Sequence, residues 1–192
     1  MRGVAVLTAA VAAGCGSDQD GGLSARFAER TVYGSGAGST TETVRGAFDW
    51  SATKGWAVRR SRVLESRVVQ IGTRCFRRFD DEAWSRADNV DRVCDAAAFG
   101  NPANADDLMR SVATDWKNVG SASIRGVSTT HYRSRLDLGA IEAQIEMWVD
   151  RDGVVRRQQQ RSNEPGGFVS VRDYFDFGVD VRVRAPNVGA GG

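Results

Sequence analysis

Apolar and polar residues alternate along most of this chain, the period of a half-buried β-strand. In TTHYRSRLDL (129–138), Tyr132, Leu136 and Leu138 fall on one side, and His131, Arg133, Arg135 and Asp137 on the other. Gly139 and Ala140 then interrupt the pattern and suit a two-residue hairpin loop with glycine first. That loop sets Leu138 opposite Ile141, Ser134 opposite Ile145 and Tyr132 opposite Met147, so both strands present one apolar face. A meander is predicted to follow: a turn at Asp150 to Gly153, a strand in VVRRQQQRS, a turn at Pro165 and Gly166, and a strand in FVSVRDYFDF. RRQQQR has no apolar face and reads as a rim or edge strand, where charge discourages stray pairing.

The N-terminal half has the same texture. Val44, Phe48 and Trp50 alternate with Thr43, Arg45 and Asp49, and strand-like pieces follow at GWAVRR, RVVQIG and RCFRRF. RTVYGSG and, near the end, VDVRVR read as further strands. One helix is well marked. Asn104 can cap it, Asp106 and Asp107 suit its first turn, Leu108, Val112 and Trp116 lie on one face at i, i+4 and i+8, and Gly120 is placed to end it. GLSARFAER reads as a short second helix.

Nine or ten antiparallel strands at about 4.8 Å spacing make a sheet of order 45 Å wide, whereas a helix is only about 10–12 Å across. One helix cannot roof such a sheet. Either it closes into a barrel filled by its own side chains, or it curls into a trough with the helix inside and apolar wall left over. The predicted class is therefore mainly β with some α (α+β); the family resemblance set out below implies the curved form, an antiparallel half-barrel sheet wrapping one to three helices.

The chain opens with MRGVAVLTAAVAAG, one arginine and then an uncharged apolar run too short to span a bilayer, which reads as a secretory signal. Ala12, Ala13 and Gly14 lead into Cys15 as in a bacterial lipobox, and that resemblance makes Cys15 the mature first residue and the carrier of lipid. Several acyl chains on one cysteine make an anchor where one would be marginal. The domain plan follows: 1–14 a cleaved signal peptide, 15–22 the lipidated cysteine and flexible tether, 23–187 one globular domain, and 188–192 a disordered tail. The predicted location is the extracytoplasmic face of the cell membrane. Cys75 and Cys94 then sit in an oxidising compartment, where an even pair is more often bridged than free.

Of 192 residues, 41% are hydrophobic and 26% charged, an ordinary globular balance. With a formal charge of +2 and no basic block, nucleic acid is a poor partner. GVSTTHYRSRLDL, MWVDRDGVVRR and YFDFGVDVRVRAP together resemble the LolA-like lipoproteins of actinobacteria, the LppX and LprG type, over about residues 43–187. The resemblance implies a half-barrel of antiparallel strands around helices, enclosing an apolar cavity for lipid or lipoprotein acyl chains. By the matching residues, the inner wall includes Tyr132, Leu136, Ile145 and Met147, with Leu108, Val112 and Trp116 from the helix. Leu138 shares the face of Leu136. The resemblance supplies no catalytic residue.

The chemistry of other classes is thin. His131 is the single histidine, no CxxC or HExxH spacing occurs, and no metal or other cofactor is expected. GSGAGS (34–39) opens no predicted helix and reads as a turn, DFG (176–178) stands without its partner motifs, and FDDE (79–82) reads as a solvated acidic loop. Most tryptophans suit the core, Trp50 and Trp56 among them. Trp148 falls on the outward set with Glu146 and Asp150, so it packs under a loop or marks a docking patch. Two functions remain open: a membrane-anchored carrier of lipid or acyl chains, and an envelope sensor that binds a protein partner through the same curved sheet.

Overall fold

The computed structural model describes residues 23–87, 101–103, 105–113, 115–137, 142–162 and 164–188. Eleven strands form one antiparallel sheet in the order β6-β5-β4-β3-β2-β1-β11-β10-β9-β8-β7. Its two ends are not paired with each other, so the sheet is open and curved rather than closed. β1 (Ser24–Tyr33), β2 (Thr40–Asp49), β3 (Lys54–Arg60), β4 (Glu65–Ile71), β5 (Arg74–Phe79) and the two-residue β6 (Ser85–Arg86) make one wing. β7 (Lys117–Ile124), β8 (Val127–Asp137), β9 (Glu142–Asp150), β10 (Val155–Ser162) and β11 (Phe168–Phe175) make the other, and α1 (Ala105–Val112) precedes it. The wings join where β1 pairs with β11, Phe27 opposite Tyr174 and Glu29 opposite Arg172.

The β8–β9 register is the one the alternation predicts. Tyr132 pairs with Met147 and Ser134 with Ile145, and the ladder continues to Asp137 opposite Glu142. The hairpin loop itself, with Leu138, lies outside the described residues. The turns at Asp150 and at Pro165–Gly166 are also found: Gly153 N–H donates to Asp150 O at 3.1 Å, and Gly167 N–H to Glu164 O at 2.7 Å.

Four expectations are corrected. GLSARFAER is no helix: Ala25 and Phe27 are buried on either side of exposed Arg26 on β1, which is paired on both edges. The polar β10 is no rim strand but lies between β9 and β11, because the meander adds β11 to its far edge. VDVRVR joins no ladder, because both edges of β1, the strand it passes, are already paired. It is held instead by Gly178 N–H to Ser24 O at 2.8 Å, Ser24 Oγ to Val179 O at 2.6 Å, and burial of Val181. The helix stops at Val112, and Gly120 lies in β7 at a bulge with φ +133°. Pairing with β8 draws Lys117–Ile124 into the sheet, so the helical run cannot continue. Trp116 lies beyond the helix and folds back on it, its indole N–H donating to Met109 O at 2.9 Å and Ala113 O at 3.1 Å. Its single N–H, shared between the two carbonyls, supplies a donor that a helix C-terminus lacks. Asn104 lies outside the described residues.

Candidate functional site

The inner face of the sheet, where α1 packs, is built from aromatic rings laid across glycines of the next strand. A Cβ on Gly46 of β2 would stand 2.5 Å from the Phe27 ring, and one on Gly55 of β3 would stand 2.2 Å from the Phe48 ring. Neither glycine has a positive φ; each is there for space. Phe27, Val44, Phe48, Ala57, Ile145, Met147, Val149, Val155, Tyr174 and Ala105 of α1 form one buried cluster, with Trp50, Leu108, Met109, Trp116 and Tyr132 packed at its margin. Val155 N–H donates to Pro102 O at 2.8 Å and Ala105 N–H to Gly153 O at 3.1 Å, which pins the start of α1 to the β9–β10 turn. Between α1 and Trp116 is a recess of about 270 Å³ lined by Asp106, Met109, Arg110, Ala113 and Trp116.

A polar band interrupts this wall at its centre. Glu29 of β1 accepts from Arg172 of β11, Nη2 to Oε2 at 2.5 Å and Nε to Oε2 at 2.9 Å, and from Ser170 Oγ to Oε1 at 2.7 Å. Thr31 Oγ1 donates to Ser170 Oγ at 3.0 Å. Burial alone would raise the Glu29 carboxyl, but the Arg172 guanidinium and the Ser170 hydroxyl outweigh it and hold the group below its usual range. Burial also pushes the Tyr174 hydroxyl up, against the opposing pull of Arg172. Gln158 and Gln160 of β10 continue the band toward Met147 and Ile145, their register partners on β9. None of these residues is singled out by sequence motif. The one signal is the mixed inward set of β11, Phe168, Ser170, Arg172 and Tyr174, which alternation cannot sort without knowing the partner strand.

Of the predicted wall residues, Tyr132, Ile145, Met147, Leu108 and Trp116 come together at this face. Leu136 takes its place in register opposite Ala143, and Val112 closes α1. Leu138, Cys15 and Cys94 lie outside the described residues. Cys75 is buried on β5.

The outer face holds the remaining candidates. Trp148 is only 8% exposed and so offers no docking surface of its own. It is covered by the His131 ring, stacked at 4.2 Å, and by Arg157, 6.0 Å from its ring centre. His131 Nε2 is 3.0 Å from Glu146 Oε2, Arg133 Nε donates to Glu146 Oε1 at 2.9 Å, and Gln144 bonds the same oxygen. These side chains spend their polar groups on one another. Trp56, expected in the core, is 38% exposed, because Gly55 and Ala57 take the inward positions of β3. No group of three or more metal-ligating side chains occurs among the described residues.

No protein-family model matches the chain. Over 75 residues it is 34% identical to a protein of Streptomyces coelicolor described as a lipoprotein, a match spanning 38% of this chain and 26%, about a quarter, of that protein. Its fold is that of two mycobacterial proteins of known structure. LprF of Mycobacterium bovis superposes with a TM-score of 0.53 at 9% identity, covering 88% of this chain and 91% of that one. The lipoprotein LppX of Mycobacterium tuberculosis does so with a TM-score of 0.51 at 19% identity, covering 85% and 91%. The curved antiparallel sheet of the LppX type that the resemblance implies is thus the fold found.

Proposed function

We propose that this chain is a membrane-anchored extracytoplasmic lipoprotein that shields lipid or acyl chains against the inner face of its sheet. The observation that carries the reading is an open eleven-strand sheet whose inner face is apolar on either side of its central polar band, with one eight-residue helix packed on it among the described residues. A fold shared with LprF and the lipoprotein LppX supports it. Tyr132, Leu136, Leu138, Ile145 and Met147 form one side of the wall and Leu108, Val112 and Trp116 the other, with Phe27, Val44 and Phe48 closing the far wing. Cys15 carries the anchor, and a Cys75–Cys94 bridge secures the β5 edge. The mechanism is burial without covalent chemistry, at about 25 cal/mol per Å² of apolar surface. Ten methylenes gain roughly 8 kcal/mol, offset in part by ordering and association costs. Affinity therefore rises with chain length.

Native mass spectrometry of protein purified from its own host, with uptake of a fluorescent fatty acid, tests the reading. Co-purified lipid is expected, and Met147→Trp, which fills the wall, is expected to lower uptake. Absence of both lipid and uptake overturns it. The intact mass of the native protein reads the anchor separately: a diacylated Cys15 is expected, and a retained Met1 or a free Cys15 thiol refutes anchoring.

A further inference from the structure

The β3–β4 connection carries the most exposed apolar pair among the described residues. Val63 is 86% exposed and Leu64 41%, side by side at the end of a narrow hairpin. The tip is pre-shaped. Ser61 N–H donates to Leu64 O at 2.9 Å, and Ser61 Oγ accepts from Val63 N–H at 3.3 Å and Leu64 N–H at 3.1 Å. Further down, Glu65 takes Arg60 at 2.6 Å and Arg67 at 2.8 Å, and Arg59 pairs with Glu42 at 3.2 Å. Arg62, beside Val63, has no ion-pair partner among the described residues.

We infer that residues 61–64 form a bilayer-contact wedge, Val63 and Leu64 entering the lipid interface and Arg62 meeting a phospholipid phosphate. Two aliphatic side chains on a hairpin tip offer far less than the roughly 800 Å² per partner of a stable protein interface. A lipid interface accepts a wedge of that size, since insertion needs only apolar area plus a cation at headgroup depth. The acidic turn Asp80–Glu82 lies on the neighbouring hairpin, and Asp80 accepts from Glu65 N–H at 2.8 Å. Its carboxylates offset the arginines at longer range, so insertion and the local Arg62 contact carry the binding. The tip also stands at the opposite rim from Ser24, which pairs with Asp49 at the far end of β2. Ten residues at about 3.3 Å each put the two ends of β1 about 33 Å apart.

The test is co-sedimentation of the mature chain, residues 15–192 carrying Cys15→Ser so that neither signal segment nor acyl chain contributes, with phosphatidylcholine–phosphatidylglycerol vesicles. Binding is expected, with about a tenfold lower partition coefficient for Val63→Asp/Leu64→Asp. A smaller loss is expected for Arg62→Glu. All three residues are exposed, so unchanged circular dichroism and melting check that each variant is folded. Partition of the double variant within twofold of its parent overturns the inference. A parent that takes up fatty acid but ignores vesicles also overturns it and leaves lipid carriage standing.

Discussion

Removing Arg172 from the centre of the inner wall tests the described architecture most sharply. In Arg172→Met, Glu29 keeps Ser170 but loses the guanidinium at 2.5 Å that offsets its desolvation, in a pair whose side chains are 13% and 16% exposed. Breaking such a pair costs about 3–5 kcal/mol. In a domain of this size each kcal/mol lowers Tm by about 2–4 °C, so a drop of roughly 10 °C is expected. The double variant Glu29→Gln/Arg172→Met leaves no unpaired charge and is expected to recover most of the loss, read by urea denaturation in a double-mutant cycle. The pH dependence follows from Glu29, whose carboxyl is held below its ordinary 4.5 in the folded state. Its contribution is fully present above the unfolded value and is lost as pH falls through the lower, folded one. Glu29→Gln should therefore flatten the acid limb of stability below about pH 4.5. A cost under about 1 kcal/mol for Arg172→Met, or no recovery in the double variant, refutes the reasoning.

Two further predictions concern the wall and its edge. Gly55→Val drives a side chain into Phe48, 2.2 Å from where its Cβ would stand, and into Ala47 O at 2.6 Å. It is expected to cost about 1–3 kcal/mol or more by chemical denaturation, whereas Gly72→Ala, in a turn with nothing within 4 Å, pays only for its φ of +58°. Thiol titration of the unfolded, unreduced mature protein is expected to find neither Cys75 nor Cys94 free. Reduction is expected to lower stability by roughly 3 kcal/mol, the loop-entropy value for a closure of about twenty residues; two free thiols refute the bridge.

What the residues determined by themselves is local. The β8–β9 register follows from alternation on two strands and a glycine between them, because a slip of one residue would turn Tyr132 and Met147 to the wrong face. Most strand pieces of the N-terminal half, the Asp150 and Pro165 turns and the acidic first turn of α1 are legible for the same reason: each depends on neighbours within a few positions. Tertiary structure decided the rest. GLSARFAER became β1 because two strands claim its edges, and RRQQQR lies mid-sheet because β11 closes over it. Trp148 lies under His131 and Arg157, each from a neighbouring strand. Glu29 and Arg172, 143 positions apart, meet only because the first and last strands pair, and long-range pairing of that kind leaves no local periodicity to read.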